Sequence, residues 1–279
     1  MRTSKDFLMI YVSSTNRQLT EKYVDWAVRG LPSAKKLLPN EIINKKDCTK
    51  AVMFGVLRGT HLVYQWAEKN KIDFYYMDRP YWGETRNNPY YTKIVKNNHL
   101  KNWQEDRPDD RFKKSFPWPI HPWKKDGKNI IVCPPSNAMK EFFGVHDWLD
   151  KTLETLRANT DRPIIIKNKG YNPIMGYDKD GGMMVTGKDD TAPSGPIDWN
   201  NAYAIVTYNS NITLEATTRG IPCFTDVRNA CAPISETDFS KIEKPCYIDR
   251  EPLYYSMAYG QFTAEEISNG YAWRTLDES

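Results

Sequence analysis

The 279-residue sequence lacks the features that mark membrane, secreted and zinc-binding proteins. Its first apolar run, Phe7 to Val12, is too short for a signal peptide or a membrane span. The five cysteines are odd in number and include no CxxC pair, so neither a disulfide framework nor a zinc site is indicated. A reducing cytoplasm is therefore the expected location, and no membrane span is predicted.

Signatures of phosphate and nucleic-acid binding are also scarce. No GxGxxG or GxxxxGKS loop is present, which argues against a dehydrogenase and a P-loop kinase. No run of Lys or Arg is long enough for a nucleic-acid arm, and the net charge of +4 permits an anionic partner without requiring one. The letters DxD occur at 178–180 within a predicted loop, and His61, His121 and His146 have no metal-ligand spacing, so no metal site is predicted.

What the sequence does contain is an alternation of apolar runs with segments of helical periodicity. Strands are predicted at residues 7–12, 51–57, 72–77, 129–133, 163–166, 202–207 and 222–225. Helices are predicted at about residues 20–29, 145–158 and 213–219, with a pair of helices after residue 251. Strands that alternate with helices form parallel sheets, which bind ligands beyond the carboxyl ends of their strands.

Two segments rich in proline or glycine interrupt this alternation. Residues 79–128 are predicted to be loop-rich, and their Pro-rich part, 116–128, is interpreted as an interdomain linker rather than a surface loop of one domain. Residues 171–195 are predicted to be a polar, glycine-rich loop. The predicted fold is α/β with two Rossmann-like domains that face each other across a cleft. The first domain spans 1–115, the second spans 129–250, and terminal helices at 251–279 pack back toward the first.

The segment 207–224 carries the clearest chemical signal. A buried strand ends in Asn209, Ser210 and Asn211 and turns directly into a helix, whose first amides and dipole favour a phosphate. Ser210 or Asn211 would also cap this helix, and Glu215 stands one turn along, where it would reach the ribose of a bound nucleotide. The alternative is an ordinary strand–helix corner in which the Asn and Ser side chains cap the helix and bind nothing.

The letters T-x-N-S-x-x-x-x-E-A at 207–216, followed by G-x-P-x-F at 220–224, resemble the donor-binding half of GT-B glycosyltransferases. The resemblance is nearest to the capsule-polysaccharide and Kdo-transferase-like groups and to small bacteriophage glycosyltransferases. It covers the second half of the chain well and the first half loosely. It implies a nucleotide-sugar donor, with a UDP-sugar favoured, and no tightly bound cofactor. A metal is not expected to be required, because Lys167 and the helix amides would stabilise the charge of the leaving group and no DxD motif lies in a plausible strand-end loop. The donor-binding residues that it implies are Lys167, Asn209, Ser210, Asn211, Thr213 and Glu215.

In the first half, Asp78 follows the apolar run 72–77 and is the candidate base that takes the proton of the acceptor hydroxyl. The alternative is that Asp78 pairs with Arg79 or caps the following turn. His99 lies in a stretch that resembles the bacteriophage group, and is a second candidate base or a hydrogen-bonding residue of the acceptor site. The residues assigned to the acceptor site or cleft are Arg58, Arg79, Tyr81, Lys93 and Asn98.

These features predict a glycosyltransferase that moves a sugar from a nucleotide-sugar to a hydroxyl acceptor. The resemblance to the bacteriophage group favours a hydroxymethylated pyrimidine in DNA as the acceptor, and with it the host cytoplasm as the location. A polysaccharide acceptor is the alternative. A non-catalytic nucleotide-binding module and a UDP-sugar epimerase of GT-B fold remain open, as do the sugar, the nucleotide and the stereochemical outcome.

Overall fold

The computed structural model describes residues 9–15, 17–83, 91–99, 106–169, 173–188 and 195–278. The chain is a mixed α/β protein with parallel strands, which confirms the fold class predicted from the alternating pattern. It divides into two compact units, of which unit 1 comprises residues 1–102, 176–184 and 260–279, and unit 2 comprises 103–175 and 185–259. In this division the Pro-rich segment 116–128 lies inside unit 2.

In chain order the strands are β1 (Ile10–Ser13), β2 (Lys35–Leu37), β3 (Lys50–Phe54), β4 (Asp73–Asp78), β5 (Tyr91–Lys96), β6 (Asn129–Cys133), β7 (Ile164–Ile166), β8 (Pro173–Tyr177), β9 (Met183–Lys188), β10 (Ala202–Thr207), β11 (Cys223–Thr225) and β12 (Gln261–Thr263). The α-helices are α1 (Gln18–Gly30), α2 (Pro39–Ile43), α3 (Thr60–Asn70), α4 (Asp110–Ser115), α5 (Asn137–Phe143), α6 (Trp148–Arg157), α7 (Ile212–Thr218), α8 (Glu251–Ala258), α9 (Ala264–Ser268) and α10 (Tyr271–Asp277). In the part of the chain that the structure describes, no helix is long and apolar enough to cross a membrane.

Unit 1 is built on a mixed sheet with the strand order β12-β5-β4-β3-β1-β2. Strands β1 to β4 are parallel, whereas β5 runs antiparallel to both β4 and β12. The expectation of wholly parallel sheets is therefore wrong for unit 1, and the segment predicted as loop contains a strand. β5 was not predicted as a strand because Lys93 interrupts its apolar residues in the sequence, although Lys93 is buried in the structure.

The core of unit 1 joins the first helix to the last two. Val24 and Ala27 of α1 pack in one buried cluster with Ile267 of α9 and Trp273 of α10. The close approach of α1 to α9 depends on Gly30, because a Cβ atom at this position would lie 1.8 Å from the Ile267 carbonyl oxygen. Helices α9 and α10 therefore belong to unit 1 together with α1, whereas α8 belongs to unit 2.

Unit 2 contains a parallel sheet with the strand order β11-β10-β6-β7. Leu153 and Leu156 of α6 pack on one face of this sheet with Val206, and Ala216 of α7 packs on the other face with Ile205. The chain leaves β6 toward β7 on one side and later returns to the other side of β6 as β10. The strand order therefore reverses between β6 and β10. The bounds predicted for these two strands from the sequence are confirmed.

A β-hairpin replaces part of the loop predicted at 171–195. β8 and β9 pair with each other, and the turn between them is organised by Asp178, whose Oδ1 accepts hydrogen bonds from the Asp180 and Gly182 amides (2.9 and 2.7 Å). Gly181 has a positive φ of 79°, which favours glycine at this position. Gly181 and Gly182 lie in the hairpin turn, whereas Gly176 and Gly187 lie within β8 and β9. The loop prediction is therefore wrong for residues 173–177 and 183–188.

Candidate functional site

The first group of candidate residues lies around the end of β4 in unit 1. Because β5 runs antiparallel to β4, Lys93 is the register partner of Asp78. Asp78 Oδ2 accepts a hydrogen bond from the Tyr76 hydroxyl (3.0 Å) and lies 3.7 Å from Lys93 Nζ, and Oδ1 accepts the Arg79 amide (2.8 Å). The Asp78 side chain remains 32% exposed, so the carboxylate is held in position and accessible at the same time.

Lys93 is buried beside this carboxylate. Its side chain is 7% exposed, and its ammonium group lies 5.7 Å and 5.6 Å from the ring centroids of Tyr76 and Tyr81. Burial lowers the pKa of Lys93, and the Asp78 carboxylate opposes this change. The same two causes, burial and then the Asp78 charge, raise the pKa of Tyr76 well above its ordinary value, so its hydroxyl stays protonated and donates.

His99 and Tyr81 complete this group from two further segments. The His99 ring is buried and lies 5.3 Å from the Tyr76 ring. Tyr81 is also buried, and its backbone amide donates to the Gln261 side chain of β12 (3.0 Å). The structure therefore brings together four residues that the sequence assigned to catalysis or to the acceptor, with Tyr76, which the sequence did not single out, between them.

The remaining candidates of unit 1 are Arg58, Arg79 and Asn98. Arg58 follows β3 with a positive φ of 59°, and its amide donates to the carbonyl of Met183, the first residue of β9 (2.6 Å). Arg79 is exposed directly after β4. Asn98 follows the end of β5, and its side-chain Oδ1 accepts a hydrogen bond from the His99 amide (2.7 Å).

The second group lies at the carboxyl ends of the strands of unit 2. Open α/β sheets bind ligands where the strand order reverses, which here is between the loops that follow β6 and β10. Thr207 Oγ1 donates to the Cys133 carbonyl (2.6 Å) and ties the two strand ends together. Lys167 directly follows β7, one strand further along, and therefore lies roughly 10 Å across the sheet from the end of β10.

The turn after β10 is fixed by a residue that the sequence did not indicate. Asn229, which is buried in the loop after β11, donates its side-chain amide to the Ser210 carbonyl (3.3 Å). Thr213 Oγ1 lies 3.0 Å from both the Ser210 carbonyl oxygen and Asn229 Oδ1. Thr213 is buried, so its position is that of a support for the turn. Asn209, Ser210 and Asn211 form the loop itself between β10 and α7.

Glu215 lies on α7, one turn beyond this loop. Its side chain is 40% exposed, and its Oε1 atom pairs with Arg219 Nη2 at 3.0 Å. The Arg219 guanidinium in turn lies 4.9 Å above the Trp199 ring. Glu215 is therefore accessible to a ligand, which would have to compete with Arg219 for the carboxylate.

A pocket of about 320 Å³ opens beside the Ser210 turn, between α6 and the loops after β10 and β11. Its wall includes Tyr208, whose hydroxyl accepts a hydrogen bond from Arg228 Nη1 (3.1 Å), and Trp148, whose ring lies 6.3 Å from that of Tyr208. The full lining is Val145, Asp147, Trp148, Lys151, Thr152, Thr155, Tyr208, Asp226, Arg228 and Phe239. The sequence indicated none of these as site residues, although Tyr208 stands within the motif 207–216.

Among the residues that the structure describes, no group of three or more His, Cys, Asp or Glu side chains is arranged to hold a metal ion.

No protein-family model and no curated protein sequence matches the chain. Among solved structures, the chain shares the Rossmann-like α/β fold of a glycosyltransferase. That structure is Thermosulfurimonas dismutans KpsC, beta Kdo 2,4 transferase, with a TM-score of 0.51 and 10% identity over 92% of each chain. A second match, the beta Kdo 2,7 transferase of the same organism, has a TM-score of 0.45 and 12% identity over 95% of this chain and 99% of the other. The resemblance to Kdo-transferase-like proteins is thereby confirmed at the level of the fold.

Proposed function

We propose that this protein is a glycosyltransferase that moves a sugar from a nucleotide-sugar donor to a hydroxyl group of a glycan. The observation that carries the proposal is the shared fold with a Kdo transferase over 92% of both chains. Fold alone does not define function, so the proposal also depends on the groups at the strand ends of each unit. These groups supply the two parts that such a reaction requires, a donor site and a base.

The donor site is assigned to unit 2. The pocket of about 320 Å³ has the size of a small-molecule site and offers the half-buried Trp148 ring for stacking against a nucleobase. Tyr208 is buried, and its hydroxyl accepts the hydrogen bond that orients Arg228 at the pocket. Arg228 lies at this pocket and is 54% exposed, with a guanidinium that suits an anionic or carbonyl oxygen of the ligand. The adjacent Ser210 turn and Lys167 would hold the phosphate end, where positive charge stabilises the leaving group.

The base is assigned to Asp78 in unit 1. In the proposed step, the acceptor oxygen forms a bond to the anomeric carbon while the bond from that carbon to the donor phosphate oxygen breaks. The acceptor proton passes to the Asp78 carboxylate, and the electron pair of the broken bond leaves with the nucleotide. Asp78 suits this role because its oxygens are oriented by Tyr76 and the Arg79 amide while its side chain stays accessible.

The donor site is tested by thermal unfolding in the presence of UDP, CMP, GDP and their sugar conjugates. A ligand that binds the native state raises the melting temperature, and we expect this result for one nucleotide family. Arg228→Gln is expected to reduce the shift, whereas Arg157→Gln, an exposed arginine at the end of α6, is expected to leave it unchanged. If no nucleotide raises the melting temperature of the unaltered protein, the proposed donor site is contradicted.

A further inference from the structure

The pairing of β4 with β5 places a buried lysine against the proposed base. Lys93 Nζ lies 3.7 Å from Asp78 Oδ2, and the same oxygen accepts the Tyr76 hydroxyl at 3.0 Å. Burying a charged group is unfavourable unless an opposite charge accompanies it. Lys93 would therefore be an unusual residue for a central strand of the sheet if Asp78 were absent.

A buried lysine is also poorly placed to bind a substrate. Its side chain is 7% exposed, and its ammonium group is enclosed by the rings of Tyr76 and Tyr81. An acceptor or a phosphate group that approached from solvent would reach the 32% exposed Asp78 carboxylate first. The ammonium group therefore acts on chemistry at this site through Asp78.

We propose that Lys93 is a positioning residue, whose buried ammonium group fixes the orientation of the Asp78 carboxylate at the end of β4. This inference rests on the proposed role of Asp78 as the base. It differs from the assignment of Lys93 to acceptor or phosphate contact, because the lysine binds the base and not the substrate. A carboxylate that is already held in one orientation can meet the acceptor hydroxyl without being ordered during the reaction, so fixing its position favours proton transfer.

The chain offers a matched control on the same strand. Lys96, three residues from Lys93 on β5, also pairs with a carboxylate, because its Nζ lies 2.9 Å from Asp277 Oδ1. Lys96→Met removes an ion pair from β5 as well, but one that Lys96 makes with Asp277 of α10 and not with Asp78. Lys93→Arg serves as the second control because it keeps the positive charge.

The experiment measures kcat and the KM values for the donor and the acceptor. For Lys93→Met we expect kcat to fall about tenfold or more with little change in either KM, because the substrates still bind while the base is no longer held in its orientation. Lys96→Met is expected to leave kcat and both KM values unchanged. Lys93→Arg, which keeps the positive charge beside Asp78, is expected to recover part of the lost kcat. If Lys93→Met does not fold, Lys93→Gln provides the same comparison.

Three results separate this inference from the proposed function. If Asp78→Asn retains full turnover, Asp78 is not the base and the proposed function fails at that point. If Asp78→Asn is inactive while Lys93→Met keeps the wild-type kcat, the role of Lys93 alone is overturned. Equal changes in the Lys93→Met and Lys96→Met proteins would also overturn it, since they would indicate a general effect of losing a β5 ion pair.

Discussion

The Tyr75 hydroxyl on β4 donates a 2.6 Å hydrogen bond to Asp277 Oδ1 at the end of α10. The ammonium groups of Lys50 and Lys96 lie 3.0 and 2.9 Å from the same carboxylate, and the Trp273 ring lies 5.0 Å from the Tyr75 ring. Residues separated by about two hundred positions thus form one polar cluster on the unit 1 sheet. This cluster fastens the last helix of the chain to the sheet that bears Asp78.

The Asp277 cluster predicts a dependence of stability on acid. Burial raises the pKa of Asp277, but the hydrogen bonds from Tyr75, Lys96 and Lys50 outweigh it and lower the pKa to about 2. A carboxyl whose pKa is lower in the folded than in the unfolded state stabilises the fold above its ordinary pKa of about 3.9, and this contribution is lost as the pH falls toward 2.

We therefore expect Asp277→Asn to lower the free energy of unfolding at pH 7 by about 1 kcal/mol, a modest value because the side chain is 43% exposed and screened by water. Urea unfolding between pH 7 and pH 2 measures the difference in free energy of unfolding between the unaltered protein and Asp277→Asn. This difference should become smaller below about pH 4. Asp161→Asn, an exposed carboxylate of unit 2, is the control. A deficit in Asp277→Asn that stays constant down to pH 2 would contradict the assigned electrostatic role.

The contact between α1 and α9 predicts that Gly30 cannot be enlarged. A Cβ at this position would lie 1.8 Å from the Ile267 carbonyl oxygen and 2.6 Å from Trp273 Nε1, which donates to that carbonyl. Alanine normally favours a helix over glycine, so a loss of stability would come from this clash. We expect Gly30→Ala to cost about 1–3 kcal/mol or more by urea unfolding. Gly195→Ala, which meets no atom within 4 Å, is expected to be neutral.

The buried Asn229 predicts that the donor turn depends on the loop after β11. Its side chain donates to the Ser210 carbonyl and accepts from the Cys231 amide (2.8 Å), so Asn229→Ala leaves buried polar groups without a partner. We expect this variant to lose about 1–3 kcal/mol of stability. We also expect nucleotide affinity, measured by calorimetry, to fall about tenfold, a change of about 1.4 kcal/mol. Asn159→Ala, at an exposed position just after α6, is the control. Equal nucleotide affinities in the two variants would contradict the prediction.

Substitutions in the Glu215–Arg219 pair test whether Glu215 binds the ligand or stabilises α7. Glu215→Ala is expected to weaken nucleotide binding about tenfold, or about 1.4 kcal/mol, if the carboxylate contacts the ribose. It should barely change the melting temperature, because an exposed pair four residues apart contributes only about 0.3–0.5 kcal/mol. Arg219→Gln keeps the carboxylate and is expected to retain affinity. Binding that is equally reduced in both variants would argue that the pair supports α7 and that Glu215 does not contact the nucleotide.

The sequence was most informative where local patterns determine structure. β6 and β10 are continuous runs of apolar residues bounded by polar loops, and both were predicted with their observed bounds. The prediction of strands failed where the burial of a polar residue depends on a partner that is distant in the sequence. Lys93 appears polar in the sequence of β5, and only the Asp78 carboxylate on the neighbouring strand makes its burial favourable.

The candidate site divides in the same way. The loop from Asn209 to Asn211 and the position of Asp78 follow from strands that can be recognised in the sequence. Asn229 and Arg228 reach the donor side only because β11 pairs with β10, and Trp148 reaches Tyr208 across sixty residues of sequence. Such neighbours are set by the strand order and by helix packing, which a single sequence does not reveal.

The central claim is tested most directly by incubating the protein with the nucleotide-sugar whose nucleotide raises its melting temperature. Nucleotide release and sugar transfer are then measured with a glycan acceptor, with hydroxymethylated DNA and without acceptor. The account predicts release coupled to transfer onto the glycan, and loss of both in Asp78→Asn. Transfer onto DNA would correct the acceptor and leave the enzyme class intact. Release without any acceptor, or no release under any condition, would contradict the assignment as a glycosyltransferase.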